Sequence, residues 1–436
     1  MKNQRTSKSD ISRRKFITKF GLAAGASALL PIIPPFVPKR SVNTTSLFKK
    51  DHPLTLGILL PPSNVYPAMG ENLLAGISLY FERTGNQVSG REIVLRCEQT
   101  GFGPNSAVQK SCKLLETDKV DLVTGIVDTA VNIEIRRLFH NKRIFLIANQ
   151  VGANVLRAHD HSPYIIHNSL DYWQANWALG HWAANHVGKK ALVAASFYES
   201  GYDALYAFNL GFEDGGGKII RTVVDNLPSE KPDNSALMSV IKKDKPDLVF
   251  ASYSGGEAIN FVKAFSCSDF YRQIPLLGSG FMVDETILKT QGKTALGIRS
   301  CFPWSSSLNQ TASKEFCAAY RKKTGHSADA FAMLGFETAR LIAEAVNTAN
   351  GNLQDSNLLR KGFVNARFNS PRGQLKMNTH TCNFSGPLYL REVRRHGRSL
   401  VNEVIGELNT RTEPDTYAAE LFAGPKTGWL NPYLCV

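Results

Sequence analysis

Residues 54–86, LTLGILLPPSNVYPAMGENLLAGISLYFERTGN, decide the fold. Leu54 to Leu60 is a short apolar run rich in branched side chains, the pattern of a strand buried on both faces. Pro61 and Pro62 end it, because proline cannot donate to a ladder. Residues 63–70 carry turn chemistry. Leu73, Leu74, Ile77, Tyr80 and Phe81 then recur at helical spacing on one face, with Glu71, Asn72 and Ser78 off it. Strand, loop and amphipathic helix make half of a βαβ unit. In an open α/β sheet, ligands bind where such loops leave the carboxyl ends of the strands. The loop at 61–70, with Asn64 and Tyr66, is therefore expected to face a cleft.

Outward from this stretch the same rhythm continues. Residues 92–98 read as a strand, and 104–117 as a helix opened by Pro104, which is favoured in a first turn. Strand 121–127, helix 129–141 and strand 143–148 follow, and 164–168 reads as an extended segment crossing to a second lobe. There the pattern restarts: helix 172–187, strand 191–196, helix 202–214 closed by Gly215, Gly216 and Gly217, strand 218–224, helix 234–243, strand 247–252, helix 256–265 and a short strand at 275–277. Two helices follow Thr311, the second amphipathic through Phe331, Leu334, Thr338, Leu341, Ile342 and Ala345. Residues 374–377 and 387–393 are expected to pair as a hairpin. The fold class is α/β: two doubly wound parallel-sheet lobes with a hinge and an inter-lobe cleft. Lobe 1 is expected from 53–165 with 303–365, lobe 2 from 166–302 with 366–401, and 402–436 as a C-terminal extension. Hinge closure around a solute is the motion such a pair permits.

The front of the chain reads differently. Ser12-Arg13-Arg14-Lys15-Phe16 through Lys19 is a twin-arginine pattern, followed at 21–30 by a weakly apolar region too short to span a bilayer. Residues 1–28 are expected to be a signal peptide and 29–52, with Pro31, Pro34, Pro35 and Pro38, a stiff linker. This places the mature protein in the periplasm, with no membrane insertion once the signal is cleaved. The formal charge of +14 is concentrated here; seven Lys/Arg against one acid in 1–28 and four Lys/Arg in 29–50 leave about +4 for the rest. No basic stripe remains for a nucleic-acid partner. Arg391, Arg394, Arg395 and Arg398 read as a solvated strand end. Seven cysteines in an exported chain permit disulfides, and Cys97 with Cys112 is one plausible pair, although spacing does not fix connectivity.

Enzyme signatures are weak. His159, His161, His167, His181 and His186 do not have metal-site spacing, and HEXXH is absent. No G-x-S-x-G elbow supplies a serine nucleophile, and Gly101-Phe102-Gly103 lacks the third glycine of a dinucleotide loop. No catalytic residue, metal or cofactor is expected.

These words in this order (54–82, DLVTGIVDTAVN, RIFLIANQVGANVL, DLVFASYSGGEAINFVKAF, SPRGQLKMNTHTCNFSGPLYLREV) resemble the type I periplasmic solute-binding proteins of ABC importers. The likeness is to their branched-chain amino acid, amide and urea-binding branch, which resembles the leucine-binding protein. It implies a non-enzymatic receptor that closes on a small solute and hands it to inner-membrane permease subunits. By position it implies ligand contacts from Asp128, Thr129, Asn149 and Gln150 in lobe 1, and from Tyr198, Glu199, Tyr253, Ser254 and Phe281 in lobe 2. Simpler roles exist for several: Asp128 and Thr129 suit a helix cap, and the tyrosines suit ordinary packing. Amino-acid binders of this branch usually carry a Ser/Thr-rich run where this chain has Asp128-Thr129-Ala130-Val131, and an acid where it has Gly280. The expected solute is therefore small and polar, an amino acid, an amide or a related compound, and that departure makes an amide, a peptide-like or an aromatic solute at least as good a fit as a standard α-amino acid. Two other classes remain open on sequence alone: an exported enzyme with a cofactor, and a sensor not coupled to transport.

Overall fold

The computed structural model describes residues 52–61, 67–101, 104–151, 162–196, 199–225, 233–379 and 382–409. The first strand, β1 (Leu54–Leu60), forms where the opening stretch predicts it; helix α1 (Pro67–Arg83) begins earlier than predicted, so residues 67–70, expected as loop, are its first turn. Leu73, Ile77 and Phe81 are buried on the inner face of α1. The chain continues through β2 (Gln87–Val88), β3 (Arg91–Gln99), α2 (Pro104–Cys112), β4 (Leu122–Thr124), α3 (Thr129–Lys142), β5 (Phe145–Ala148) and β6 (Ile165–Asn168). After α2 the helix widens to a π turn at Lys113–Thr117 that buries Leu114 and Leu115.

The second half runs α4 (Tyr172–His186), β7 (Lys190–Ser196), α5 (Glu199–Asp214), β8 (Lys218–Asp225), α6 (Ser235–Asp244), β9 (Leu248–Ser252), α7 (Gly255–Ser266), β10 (Leu276–Gly278), α8 (Glu285–Gln291) and β11 (Arg299–Phe302). Three late helices follow, α9 (Thr311–Thr324), α10 (Ala330–Thr348) and α11 (Ser356–Asn365). Short strands β12 (Asn369–Ser370), β13 (Gly373–Gln374), β14 (Lys376–Asn378) and β15 (Asn383–Ser385) precede the long pair β16 (Leu388–His396) and β17 (Ser399–Leu408).

Two separate sheets result. The first has the order β14-β15-β6-β5-β4-β1-β3-β2 and the second β17-β16-β11-β10-β9-β7-β8. Strands β3, β1, β4, β5 and β6 are parallel, as are β8, β7, β9, β10 and β11. The inner strands β1, β4, β5, β7 and β9 are buried along nearly their whole length, as in sheets with helices on both faces, whereas β3 and β8 carry exposed polar residues. The chain passes between the sheets three times: after β6, after β11, and at Gly386-Pro387 between β15 and β16.

Each lobe brings a helix pair unusually close through reciprocal glycines. A Cβ on Gly335 of α10 would lie 2.1 Å from the Leu73 carbonyl oxygen, and one on Gly76 of α1 would lie 2.0 Å from that of Ala332. In the second lobe a Cβ on Gly211 of α5 would lie 2.0 Å from the Trp177 oxygen, and one on Gly180 of α4 would lie 2.3 Å from that of Phe208. The late helix α10 thus returns to the first lobe and seats on α1.

Several expectations are corrected. Residues 374–377 and 387–393 do not pair with each other: β14 pairs with β15 in the first sheet, whereas β16 pairs with β17 and β11 in the second. The true hairpin turn is Gly397-Arg398, with Gly397 at φ 60°, a Gly-X signal of the kind that suits tight hairpins. Consequently β6 belongs to the first sheet, and residues 402–408 of the expected extension are part of β17. Arg391 is not a solvated strand end; it is fully buried, while Arg394, Arg395 and Arg398 are exposed. Cys97 and Cys112 are free thiols, as are Cys267, Cys301, Cys317 and Cys382. Among the described residues no helix is long and apolar enough to cross a membrane.

Candidate functional site

The described residues that sequence reasoning singled out follow the carboxyl ends of the parallel strands. In the first lobe the loop after β4 turns at Gly125, φ 104°, where a Cβ would lie 2.5 Å from the Leu59 oxygen. This places exposed Asp128 at the start of α3, where its carboxylate accepts from the Val131 N–H at 2.9 Å. Asp128 is therefore a helix cap at a terminus whose dipole favours anions. Thr129 is the first helical residue.

Asn149, after β5, is fully buried. Its amide oxygen accepts from Thr124 Oγ1 at 2.8 Å and from the Gly125 N–H at 3.2 Å, and its Nδ2 donates to Thr338 Oγ1 at 2.6 Å. It ties the two strand-end loops to α10. Gln150 is also buried, with Oε1 2.8 Å from His167 Nδ1 and its carbonyl oxygen accepting from the Leu170 N–H. His167 thus serves the scaffold, and among the described residues no group of His, Cys, Asp and Glu is placed to hold a metal ion.

In the second lobe Tyr253 is buried against Phe261, ring centroids 4.9 Å apart. Ser254 is exposed and precedes α7 without capping it through its side chain; Gly255, φ 51°, and Gly256 follow with open space around them. Glu199 is the first residue of α5. Asn64, Tyr66 and Tyr198 lie outside the described residues, as do the Thr129 and Glu199 side chains.

Phe281 is the residue around which the two lobes meet. It sits in a 3₁₀ turn after β10 and is half-buried. Its ring centroid lies 5.2 Å from Tyr172, 5.2 Å from Phe302 and 5.9 Å from Phe331, the last nearly parallel at 12°. Phe331 belongs to the first turn of α10, so this stack joins the second lobe to a helix of the first. The Tyr172 hydroxyl lies 3.0 Å from Ser252 Oγ at the end of β9. The same packing explains Gly280: a Cβ there would lie 2.1 Å from Phe302 Cδ2. An acid at that position is sterically excluded while Phe302 keeps its place.

Tyr172, Phe302 and Phe331 were not singled out from the sequence as site residues. Phe331 was legible only as one apolar position on an amphipathic helix, because its partner lies 50 residues away in the other lobe.

The match to a family model described as periplasmic binding protein runs from residue 53 to residue 398. The chain belongs to the periplasmic binding protein family. A curated relative, Leu/Ile/Val-binding protein homolog 6 of Brucella melitensis, is 25% identical over 346 residues, covering 78% of this chain and 87% of the relative. Among solved structures, an ABC transporter substrate-binding protein from Sphaerobacter thermophilus superimposes with a TM-score of 0.78 at 25% identity, covering 82% of this chain and 98% of the other. A solute-binding protein of an ABC transporter from Rhodopseudomonas palustris BisB5, solved in complex with 3,4-dihydroxybenzoic acid, gives a TM-score of 0.76 at 26% identity, covering 83% and 99%. The periplasmic binding protein described here is a type I, leucine-binding-protein-like substrate-binding protein of the ABC-transporter class, not an enzyme. Its family carries a periplasmic location with it.

Proposed function

We propose that this periplasmic binding protein captures a small aromatic carboxylic acid between its lobes and delivers it to the permease subunits of an inner-membrane ABC importer. The observation that carries the reading is Phe281, half-buried among Tyr172, Phe302 and Phe331 at the strand ends. An aromatic wall with few polar groups is the composition of a site for a flat apolar ligand, and offset or edge contacts between rings favour an aromatic one. The open N-terminus of α7, which the Ser254 side chain does not cap, supplies N–H groups for its carboxylate. The 3,4-dihydroxybenzoic acid bound to the relative from Rhodopseudomonas palustris supports the same class. In this reading Asp128, Tyr253, Ser254 and Phe281 line the site and Asn149 and Gln150 position the loops; Thr129, Tyr198, Glu199, Asn64 and Tyr66 are further candidates from the sequence.

A second reading, a branched-chain amino acid, is favoured by the Leu/Ile/Val-binding relative. Calorimetric titration of the purified protein with benzoate, 4-hydroxybenzoate and 3,4-dihydroxybenzoate, and in parallel with leucine, isoleucine and valine, separates the two. Heat from the aromatic acids alone supports the proposal; heat from the amino acids alone replaces it with the second reading.

We further assign residues 1–28 to a twin-arginine signal peptide and 29–52 to a linker, on the Ser12–Lys19 motif and the prolines that follow. Replacing Arg13 and Arg14 by lysine is expected to hold the protein in the cytoplasm, as read by cell fractionation.

A further inference from the structure

Asp329, the cap of α10, is buried and both of its oxygens are engaged: Oδ1 accepts from the Ala332 N–H at 2.8 Å and Oδ2 from Asn72 Nδ2 at 2.7 Å. Because α10 seats on α1, this carboxyl belongs to the first lobe. Facing it from the second lobe are Asp284 and Glu285 at the start of α8. Asp284 Oδ1 accepts from the Thr286 N–H and hydroxyl at 2.9 and 2.6 Å, but its Oδ2 is buried with no partner. Glu285 Oε1 accepts from Asn402 Nδ2 at 3.1 Å and lies 3.7 Å from Arg391 Nη1; its Oε2 is likewise buried and unpartnered.

Arg391 is the cation at the centre of this group. Its guanidinium also donates to the Gly280 and Trp304 carbonyl oxygens and to Ser300 Oγ, and it lies 4.9 Å from the Phe302 ring centroid. From α9 the cluster meets Tyr320 and Cys317, and from β11 Cys301; burial keeps the phenol and both thiols protonated. Exposed Arg321 lies at the outer edge, beside Cys317.

Glu285 and Asp284 lie beside this guanidinium and Asp329 faces both of them, so burial and like charge together favour the neutral form of Asp329. Burial, then the Asp284 charge, push the Asp329 carboxyl up to about 7, and burial raises that of Glu285. The apolar half of the same contact is the Phe281–Phe331 stack, three residues before Asp284 and two after Asp329.

We propose that Asp329 holds a proton where it faces Asp284 and Glu285 across the lobe boundary, so that closure of the lobes takes up that proton and opening releases it. In the open form the Asp329 carboxyl meets water and returns toward the ordinary range near about 4. The closed form is then favoured at low pH, and that preference is lost as pH rises toward the closed-state value, with little change above it.

Small-angle X-ray scattering of the mature chain without solute, at pH 5 and pH 8, tests this; the test needs the two-lobed fold but not the identity of the solute. Wild type is expected to show a larger radius of gyration at pH 8 than at pH 5. Asp284→Asn keeps the helix cap and places a donor where Oδ2 has no partner, so it is expected to stay compact at both values. Glu285→Gln is expected to reduce the shift, and serves as the second variant should Asp284→Asn impair folding. Equal radii for wild type, or a wild-type shift in both variants, overturns the proposal.

Discussion

Arg372 and Glu337 form an ion pair from which water is fully excluded, with Nη2 2.6 Å from Oε1 and Nε 3.1 Å from Oε2. It lies where the three passages between the lobes converge. The same guanidinium donates to the Ser169 carbonyl oxygen at 2.6 Å and to Asn168 Oδ1 at 2.9 Å, on the first passage. The Arg372 carbonyl oxygen accepts from the Tyr389 hydroxyl at 3.0 Å, on the strand that follows the third, and that hydroxyl accepts from Gln310 Nε2 at 3.0 Å, at the end of the second. Arg372, through its guanidinium and its backbone carbonyl together, therefore couples all three connections to α10.

Removing one partner of such a pair leaves the other as an uncompensated buried charge. Arg372→Met is expected to lower stability by about 3–5 kcal/mol, read from urea denaturation midpoints. The double variant Arg372→Met with Glu337→Leu should recover part of that loss; a double variant as unstable as the sum of the singles would show that the pair is not the relevant unit.

The reciprocal glycines make a second expectation. Gly335→Ala in the first lobe and Gly211→Ala in the second each drive a methyl group to about 2 Å from a carbonyl oxygen. Helix propensity alone would make either change stabilising. Overpacking outweighs it, and each is expected to cost about 1–3 kcal/mol or more in thermal or urea unfolding. An increase in melting temperature for either would mean the helices part without cost.

Asp171, on the first passage, is buried in the left-handed region at φ 47°. Burial pushes its carboxyl up to about 6 against the opposing pull of Arg372, with Asn383 and Ser169 donating to it at 3.4 and 3.3 Å. A raised carboxyl value means the native state holds the proton longer than the unfolded chain does. The stability this contributes is present below about pH 4 and is lost as pH rises through about 6, an effect of roughly 3 kcal/mol. Asn tolerates the left-handed region, so Asp171→Asn is expected to fold and to lack this pH-dependent component. Parallel stability profiles for the two proteins from pH 4 to 7 would contradict it.

Phe281→Ala removes the centre of the aromatic wall. If the solute is an aromatic acid, its affinity is expected to fall roughly tenfold, consistent with ring contacts of about 0.5–1.5 kcal/mol beyond the area they bury. Titration calorimetry measures this directly, and unchanged affinity would place the solute elsewhere.

Most strands and helices were legible because their signals are local, although β11, α8 and α11 were not assigned from the sequence. The run from Leu54 to Leu60 has one way to be buried, and Pro61, Pro62 and the glycine triplet at 215–217 punctuate the chain by backbone chemistry alone. The caps Asp128, Asp284, Asp329 and Asp355 each precede a helical pattern and bond to it within three residues of themselves. Even the hairpin turn at Gly397-Arg398 was written locally, although the strand before it was assigned another partner.

Sequence by itself therefore determined the repeating βα order, and with it two parallel sheets and the loops at their carboxyl ends. Tertiary structure alone decided that Arg391 turns inward to Glu285, that Asn149 is held by Thr338 of a returning helix, and that Phe281 meets Phe331 across the lobes. The physical reason is distance along the chain. Periodicity and capping act over a few residues, whereas the energy of a buried charge or a ring stack depends on which distant segment arrives beside it, and only the folded topology brings those segments together.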